Sequence, residues 1–143
     1  MKAGIDYPGV TVVYFCHDGK GNFILSKRSK NARDEHGRWD IGGGGLDFGV
    51  SVEETLVKEI KEEYCTDVLD YEFIGYEDLR RTHEGVPTHW VALYFKVLID
   101  PTTVANGEPH KFDEVRFFRL DNLPSPLHSA LPGFLKKHKH KLE

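Results

Sequence analysis

The alternation of apolar and polar residues predicts that the chain opens with a β-hairpin. Residues 10–16 form a β-branched and aromatic run, residues 17–22 are a glycine-rich turn, and residues 23–27 are again apolar. Polar residues dominate residues 29–38, which we interpret as a loop. The glycine run that follows at residues 42–45 lets the backbone approach a ligand closely or adopt positive φ.

The next segment carries the pattern of an amphipathic helix. Ser51 is followed three residues later by Glu54, which is the signature of a capping box at a helix N-terminus. Apolar side chains then recur at helical spacing, at Val52, Leu56, Val57, Ile60 and Tyr64. We therefore predict a helix over residues 52–64.

The second half of the chain returns to strand patterns before a final helix. Three further apolar and aromatic runs predict strands, at residues 71–76, 90–99 and 114–120. Pro124 and Pro126 then mark a change to a C-terminal helix over residues 127–138. Pro132 delays or kinks the start of this helix. Strands on both sides of a central helix predict an α/β layered domain.

Composition and charge narrow the class of protein. The chain has 143 residues, of which 39% are hydrophobic, and this fits one globular domain over residues 1–143. The last residues are interpreted as a tail or a tag remnant. A net charge of −4 argues against binding of duplex nucleic acid, which depends on clustered Lys and Arg.

The sequence also carries an expectation about cellular location. It contains neither an apolar run of about 18 residues nor the pattern of a signal peptide, so we expect a cytoplasmic protein without a membrane partner. Cys16 and Cys65 match neither a metal-ligand pair nor a disulfide framework. We expect both thiols to be reduced.

Three glutamates on the predicted helix are the main candidates for chemistry. Glu59, Glu62 and Glu63 occupy one narrow stripe, because residues three and four apart are neighbours on a helix. Like charges at this spacing repel by a few tenths of a kcal/mol per pair. The stripe is therefore either a solvated surface or a site for a hard cation such as Mg²⁺. Its short distance from the glycine run favours the cation.

One segment resembles the Nudix box, the motif of the Nudix (MutT-like) hydrolase family. The motif reads Gly, five residues, Glu, seven residues, then Arg-Glu-aliphatic-any-Glu-Glu-any-Gly-aliphatic. The similar segment is GGGGLDFGVSVEETLVKEIKEEYCTD, residues 42–67. The register fits without a gap, and the matching residues are Gly44, Glu59, Ile60, Glu62 and Glu63. The lead-in Trp39-Asp40-Ile41-Gly42-Gly43 is also similar to that of the family, with Gly42 in place of Pro.

The resemblance implies a fold, an activity and a metal site. The fold is an α/β/α sandwich with a mixed β-sheet between helices. The activity is metal-dependent hydrolysis of a pyrophosphate bond in a nucleoside diphosphate joined to another moiety, with release of a nucleoside monophosphate. One or more Mg²⁺ or Mn²⁺ ions would be held by the carbonyl of Gly43 and the carboxylates of Glu59, Glu62 and Glu63.

The resemblance also implies roles in proton transfer and substrate binding. The general base would be Glu62 or Glu63, with Glu114 on a neighbouring predicted strand as the alternative. Arg28 and Arg116 sit where many family members have similar residues. Their forked guanidinium groups suit phosphate oxygens, and each is either a phosphate clamp or an ordinary surface arginine.

Departures from the motif leave a rival hypothesis open. There are four, with Val50 where the family has its first Glu, Lys58 where it has Arg, Cys65 where it has Gly and Thr66 where it has an aliphatic residue. The Glu and Arg commonly brace each other in the family, and that pair is absent from this sequence. The rival is a Nudix-like module that binds a nucleotide or metabolite as a sensor without hydrolysing it.

The sequence does not choose the substrate. We expect specificity to come from residues 29–38 and from residues 80–89, a loop over the site or a plain polar hairpin. Trp90, Tyr76 and Phe48 would either stack on a base or belong to the core. One amphipathic pattern does not separate a core face from a dimer face, so a homodimer also stays open.

Overall fold

A computed structural model of the chain describes all residues, 1–143, and contains seven strands and two α-helices. In chain order they are β1 (Gly9–His17), β2 (Asn22–Arg28), β3 (Trp39–Asp40), β4 (Gly42–Gly45), α1 (Val52–Tyr64), β5 (Val68–His83), β6 (Val86–Ile99), β7 (Phe112–Arg119) and α2 (Leu131–Leu142). A short 3₁₀ helix at Pro101–Thr103 joins β6 to β7. The loop expected at residues 29–38 lies between β2 and β3.

All seven strands belong to one mixed sheet. Five strands follow the order β3-β2-β1-β6-β5, while β4 pairs with β1 and β7 pairs with β2. The β1–β6 pair is parallel, and the other pairs are antiparallel. β1 pairs with β4 over residues 11–14 but with β2 only at His17. At the edge of β1 that does not pair with β6, the sheet therefore splits into two branches. One branch is β4 and the other begins with β2.

The two helices cover opposite faces of this sheet. Val12 and Tyr14 of β1 belong to one buried apolar cluster with Leu56 and Ile60 of α1. Phe15 points to the other face, because side chains alternate along a strand, and it packs in a second cluster with α2. This arrangement confirms the α/β/α sandwich that the resemblance implies.

The helix predicted over residues 52–64 is confirmed in α1. The Ser51 hydroxyl accepts a 3.0 Å hydrogen bond from the backbone N–H of Glu54, and the Glu54 carboxylate accepts one from the N–H of Ser51. Both halves of the capping box are therefore present. Cys65 ends the helix in the left-handed region, with φ at 59°. The motif glutamates consequently lie on a rigid element with a fixed start.

The strand predicted at residues 71–76 was too short. β5 runs from Val68 to His83 and pairs with β6, and the two strands are joined by Glu84 and Gly85, which both have positive φ. A two-residue turn with positive φ at both positions matches the twist of a hairpin. Residues 80–89 are thus a polar hairpin of paired strands.

The C-terminal helix begins later than predicted. α2 spans Leu131–Leu142 rather than residues 127–138, with Pro132 in its first turn, where a proline N–H is not needed. Leu142, in its last turn, is 2% exposed and packs in the apolar cluster with Phe15. Neither helix is long and apolar enough to span a bilayer.

Candidate active site

The glycine run forms β4, and its backbone lies directly against α1. None of residues 42–45 has positive φ. A Cβ atom on Gly42 would lie 2.7 Å from Glu63 Oε1, and one on Gly44 would lie 2.4 Å from the carboxyl carbon of Glu59. The run therefore serves close approach of backbone to side chain and not an unusual dihedral angle. It brings Gly43 beside two of the three motif glutamates.

Glu63 is the most enclosed of these carboxylates. It is 4% exposed, it lines a cavity, and it accepts a hydrogen bond from the Tyr14 hydroxyl. Burial raises the pKa of Glu63 to about 7, although the hydrogen bond from Tyr14 and the nearby charge of Lys111 act in the opposite direction. The protein alone therefore compensates the negative charge of Glu63 incompletely.

Glu59 and Glu62 lie beside Glu63 on the more exposed part of the helix. Burial, followed by the charge of Glu62, raises the pKa of Glu59 above its usual range. Glu62 is 48% exposed, and its Oε1 lies 3.9 Å from Lys58 Nζ. Exposed ion pairs of this kind contribute little. The three predicted ligands are thus adjacent and weakly neutralised, which favours a bound cation.

A cavity of about 610 Å³ opens where β2 and β4 separate. Its walls include Ser26, the glycines of β4 and the carboxylate of Glu63. Four cationic side chains also line it, namely Arg28, Arg33, Arg81 and Lys111. Of these, only Arg28 lies within 4.0 Å of a carboxylate oxygen. The cavity thus combines a candidate metal ligand with unpaired positive charge, an arrangement that suits a polyanion.

The structure brings one of the two predicted phosphate-binding arginines to the cavity. Arg28 lines it and is held in place by Asp34, whose carboxylate and backbone carbonyl accept hydrogen bonds at 2.9 Å and 2.8 Å. Arg116 and Glu114 do not line the cavity. They form an ion pair with each other at 2.8 Å, because side chains two apart on β7 share a face. The structure therefore pairs these two residues with each other, and their predicted roles stay predictions.

Asp40 and Lys111 line the same cavity, although neither was a predicted site residue. Burial raises the pKa of Asp40 to about 6, while the nearby His128 lowers it. The signal for Asp40 was its place in the lead-in to the motif. Lys111 lies between the 3₁₀ helix and β7, where no periodic pattern marks it. In the folded structure its positive charge lies close enough to the carboxylates of Glu59 and Glu63 to act against the rise in their pKa.

A second acidic cluster borders the cavity at the loop of residues 29–38. Oxygen and nitrogen atoms of Asp34, Glu35 and His128 lie within 4.8 Å of one another. The Glu35 carboxylate accepts hydrogen bonds from the backbone and hydroxyl of Ser129 at 2.7 Å and 2.8 Å, and it lies 2.7 Å from His128 Nε2. These contacts tie the loop to the segment that precedes α2.

Both predicted specificity segments reach the cavity, but most of the predicted aromatic residues do not. Ala32 and Arg33 of the loop and Arg81 and His83 of the hairpin line it. Trp90 lines it as well, with its indole packed on the N-terminal segment at Gly4 and Gly9. Tyr76 and Phe48 are exposed, at 63% and fully, and neither lines the cavity nor belongs to the core.

Comparison with known proteins identifies the family. The family model of the NUDIX domain matches residues 7–138. The class of protein is defined by this match together with two features of the fold. These are a mixed sheet between two helices and a glycine strand packed on the carboxylates of α1. The chain belongs to the Nudix domain family and is a Nudix hydrolase.

Solved structures of the same class are similar over most of the chain. A MutT Nudix hydrolase from Burkholderia pseudomallei has a TM-score of 0.78 at 26% identity, covering 92% of this chain and 98% of that one. The MutT protein from Methanosarcina mazei Go1 has a TM-score of 0.75 at 20% identity, with coverage of 96% and 97%. The Nudix domain of Shewanella oneidensis NrtR, complexed with ADP ribose, has a TM-score of 0.69 at 18% identity, with coverage of 100% and 91%.

Proposed function

We propose that this Nudix hydrolase cleaves a pyrophosphate bond in a nucleoside diphosphate joined to another moiety, in a reaction that depends on Mg²⁺ or Mn²⁺. The observation that carries the proposal is the position of Glu63. It is a nearly buried carboxylate that lines a cavity with unpaired cationic side chains and lies beside two further carboxylates of α1. The products would be a nucleoside monophosphate and the remaining phosphorylated group.

The residues present fit a divalent cation. The donor set would be the carboxylates of Glu59, Glu62 and Glu63 with the carbonyl of Gly43, and hard oxygen donors are the ligands that Mg²⁺ and Mn²⁺ prefer. Burial, together with mutual repulsion, raises the pKa values of Glu59 and Glu63, so a cation would favour their charged forms. Bound there, the ion would neutralise phosphoryl oxygens and lower the pKa of a water molecule.

The side chains of the cavity would bind and orient the diphosphate. Arg28 presents a guanidinium already fixed by Asp34, and a fixed fork loses little entropy when it binds phosphate oxygens. Arg33, Arg81 and Lys111 add positive charge without an internal ion pair. The proton of the attacking water would pass to a carboxylate oxygen of Glu62 or Glu63. Because Glu114 and Arg116 lie outside the cavity, the proposal assigns them no contact with the diphosphate.

The test is a product-release screen over nucleotide substrates. Nucleoside monophosphate and phosphate are measured with Mg²⁺, with Mn²⁺ and with EDTA, for the wild-type protein and for Glu62→Gln and Glu63→Gln. We expect turnover only with metal, and a loss of about a hundredfold or more in Glu63→Gln. Glu53→Gln, at an exposed glutamate in the first turn of the same helix, is the matched control and should retain turnover.

Two outcomes of this screen would contradict the proposal. Turnover that persists in EDTA would remove the metal from the reaction. Nucleotide binding without turnover of any substrate would instead support the sensor module. The departures Val50 and Cys65 motivate that alternative, and in the structure Val50 is exposed while Cys65 ends α1 with φ at 59°.

A further inference from the structure

A core tyrosine is hydrogen-bonded to the buried carboxylate of the site. Tyr14 of β1 is fully buried in the apolar cluster beneath α1, and its hydroxyl donates to Oε1 of Glu63. The two residues are 49 positions apart, so the bond joins β1 to the helix that carries the motif. An uncompensated carboxylate is costly in such a place, and this bond fixes one oxygen while Glu63 lines the cavity.

Gly42 makes room for this contact. Gly42 is the partner of Tyr14 in the β1–β4 register. A Cβ atom on Gly42 would lie 2.3 Å from the Tyr14 ring and 2.7 Å from both Glu63 Oε1 and the Tyr64 hydroxyl. The tyrosine ring thus covers the bare backbone of its partner and reaches across it to α1. The missing side chain at position 42 is a condition of the bond.

The neighbouring tyrosine provides a natural comparison. Tyr64 is fully buried in the same cluster, and its ring meets that of Tyr14 edge-on, with centroids 5.9 Å apart. The Tyr64 hydroxyl, however, makes no hydrogen bond to Glu63. Two buried tyrosines of equal size therefore differ in one respect that matters here, since only Tyr14 donates to Glu63.

We propose that Tyr14 is a positioning residue that holds the Glu63 carboxylate in the orientation required for cation binding. The inference rests on the proposed metal site, to which Tyr14 itself contributes no ligand. Groups that hydrogen-bond a metal ligand fix its orientation, and their removal typically weakens metal affinity by about 10- to 100-fold. Without the hydroxyl, Glu63 would adopt several rotamers and the cation would have to select one of them.

The test compares two tyrosine-to-phenylalanine variants. Mn²⁺ binding to the purified protein, without substrate, is measured from the electron paramagnetic resonance signal of free Mn²⁺ for wild type, Tyr14→Phe and Tyr64→Phe. We expect Tyr14→Phe to weaken the affinity about tenfold or more, and Tyr64→Phe to leave it near the wild-type value. In turnover, the Mn²⁺ concentration for half-maximal rate should rise in Tyr14→Phe, while the rate at saturating Mn²⁺ recovers.

A second pair of variants keeps the inference testable if Tyr14→Phe does not fold. Gly42→Ala leaves every polar group in place but introduces a Cβ atom where Glu63 and Tyr14 meet. Gly45→Ala on the same strand is the control, because its nearest neighbour would be Trp90 at 4.0 Å. We expect only Gly42→Ala to weaken Mn²⁺ binding.

The outcomes separate this inference from the proposed function. If wild-type protein does not bind Mn²⁺, the proposed metal site itself is wrong. If wild type binds Mn²⁺ and Tyr14→Phe binds it equally well, the metal site stands and the role of Tyr14 is overturned; if Tyr14→Phe does not fold, equal binding by Gly42→Ala overturns it. A loss of folding stability in Tyr14→Phe with unchanged Mn²⁺ affinity would likewise reduce Tyr14 to a core residue.

Discussion

The cavity is bordered by two acidic clusters that the fold treats in opposite ways. On α1, burial raises the pKa of Glu63 to about 7 and that of Glu59 above its usual range. At the loop of residues 29–38, burial also acts to raise the pKa of Glu35, but hydrogen bonds from Ser129 and the charge of His128 outweigh it and lower that pKa. In the first cluster the charges of Lys58 and Lys111 do not outweigh burial, whereas in the second cluster the hydrogen bonds and nearby positive charge do.

The difference shows why proximity of carboxylates does not by itself define a metal site. Asp34, Glu35 and His128 lie close enough together to resemble a ligand set. Their polar atoms are nevertheless occupied by Arg28, Ser129 and one another. A cation would have to break these contacts. At Glu59, Glu62 and Glu63, a cation would instead relieve repulsion that the fold leaves in place.

The largest expected effect is on turnover. Glu63→Gln should lose about a hundredfold or more of the metal-dependent rate, since it removes a ligand charge. Glu35→Gln should retain a rate close to wild type, because Glu35 is bonded to Ser129 and His128 and is not a proposed ligand. Steady-state kinetics with saturating Mg²⁺ compares the two variants. Equal losses in both would remove the distinction between the clusters.

The free energy of unfolding should change in opposite directions in Glu63→Gln and Glu35→Gln. In EDTA at pH 8, Glu63→Gln should increase the free energy of unfolding by up to about 3 kcal/mol, because a pKa raised from 4.5 to about 7 disfavours the charged form. Glu35→Gln should decrease it by about 2 kcal/mol, since Ser129 and His128 lose a charged acceptor. Urea denaturation measures both values. A destabilised Glu63→Gln would show that the protein does compensate this carboxylate.

The pH dependence should differ in sign between the clusters. Glu63 has a raised pKa, so its contribution to stability is present below about pH 4.5 and is lost as pH rises towards 7. Glu35 has a lowered pKa, so its contribution is present above about pH 4.5 and is lost as pH falls through the folded value. Unfolding in EDTA between pH 3 and 8, for wild type and both variants, resolves the two. Parallel curves for all three proteins would contradict this assignment.

The smallest effects are expected at exposed ion pairs. Lys58→Ala removes the 3.9 Å contact with Glu62, and Arg116→Ala removes the contact with Glu114. Each should change the free energy of unfolding by less than about 1 kcal/mol.

Arg116→Ala should also leave KM unchanged, whereas Arg28→Ala should raise it, because only Arg28 lines the cavity. A raised KM in Arg116→Ala would return that residue to the site.

Local patterns explain which parts of the fold could be predicted. The helix at residues 52–64 and its cap depend on residues within one or two turns, and both were confirmed. β5 was predicted too short because the polar residues that follow Tyr76 conceal a strand whose register is set by the Glu84–Gly85 turn. Both ends of α2 were predicted too early. The helix extends to Leu142 because that residue packs against strands that are distant along the chain, and no local pattern shows this.

The residues of the candidate site likewise fall into two groups, those that a local pattern identifies and those that it does not. The motif identified the carboxylate stripe and the glycine run, because both lie within 22 residues of each other along the chain. Lys111 and Tyr14 join the site only through contacts between distant parts of the chain, which no local pattern records, whereas Asp40 lies in the lead-in to the motif. Glu114 and Arg116 were placed by analogy of position, and their side chains face each other outside the cavity.

The most direct test of the contrast is a crystal structure with Mn²⁺ and a non-hydrolysable nucleoside diphosphate derivative, with the metal located by anomalous diffraction. We predict an anomalous peak beside Glu59, Glu63 and the carbonyl of Gly43, and none at Asp34, Glu35 and His128. A peak at the second cluster alone, or the absence of any peak beside α1 at saturating Mn²⁺, would contradict the account.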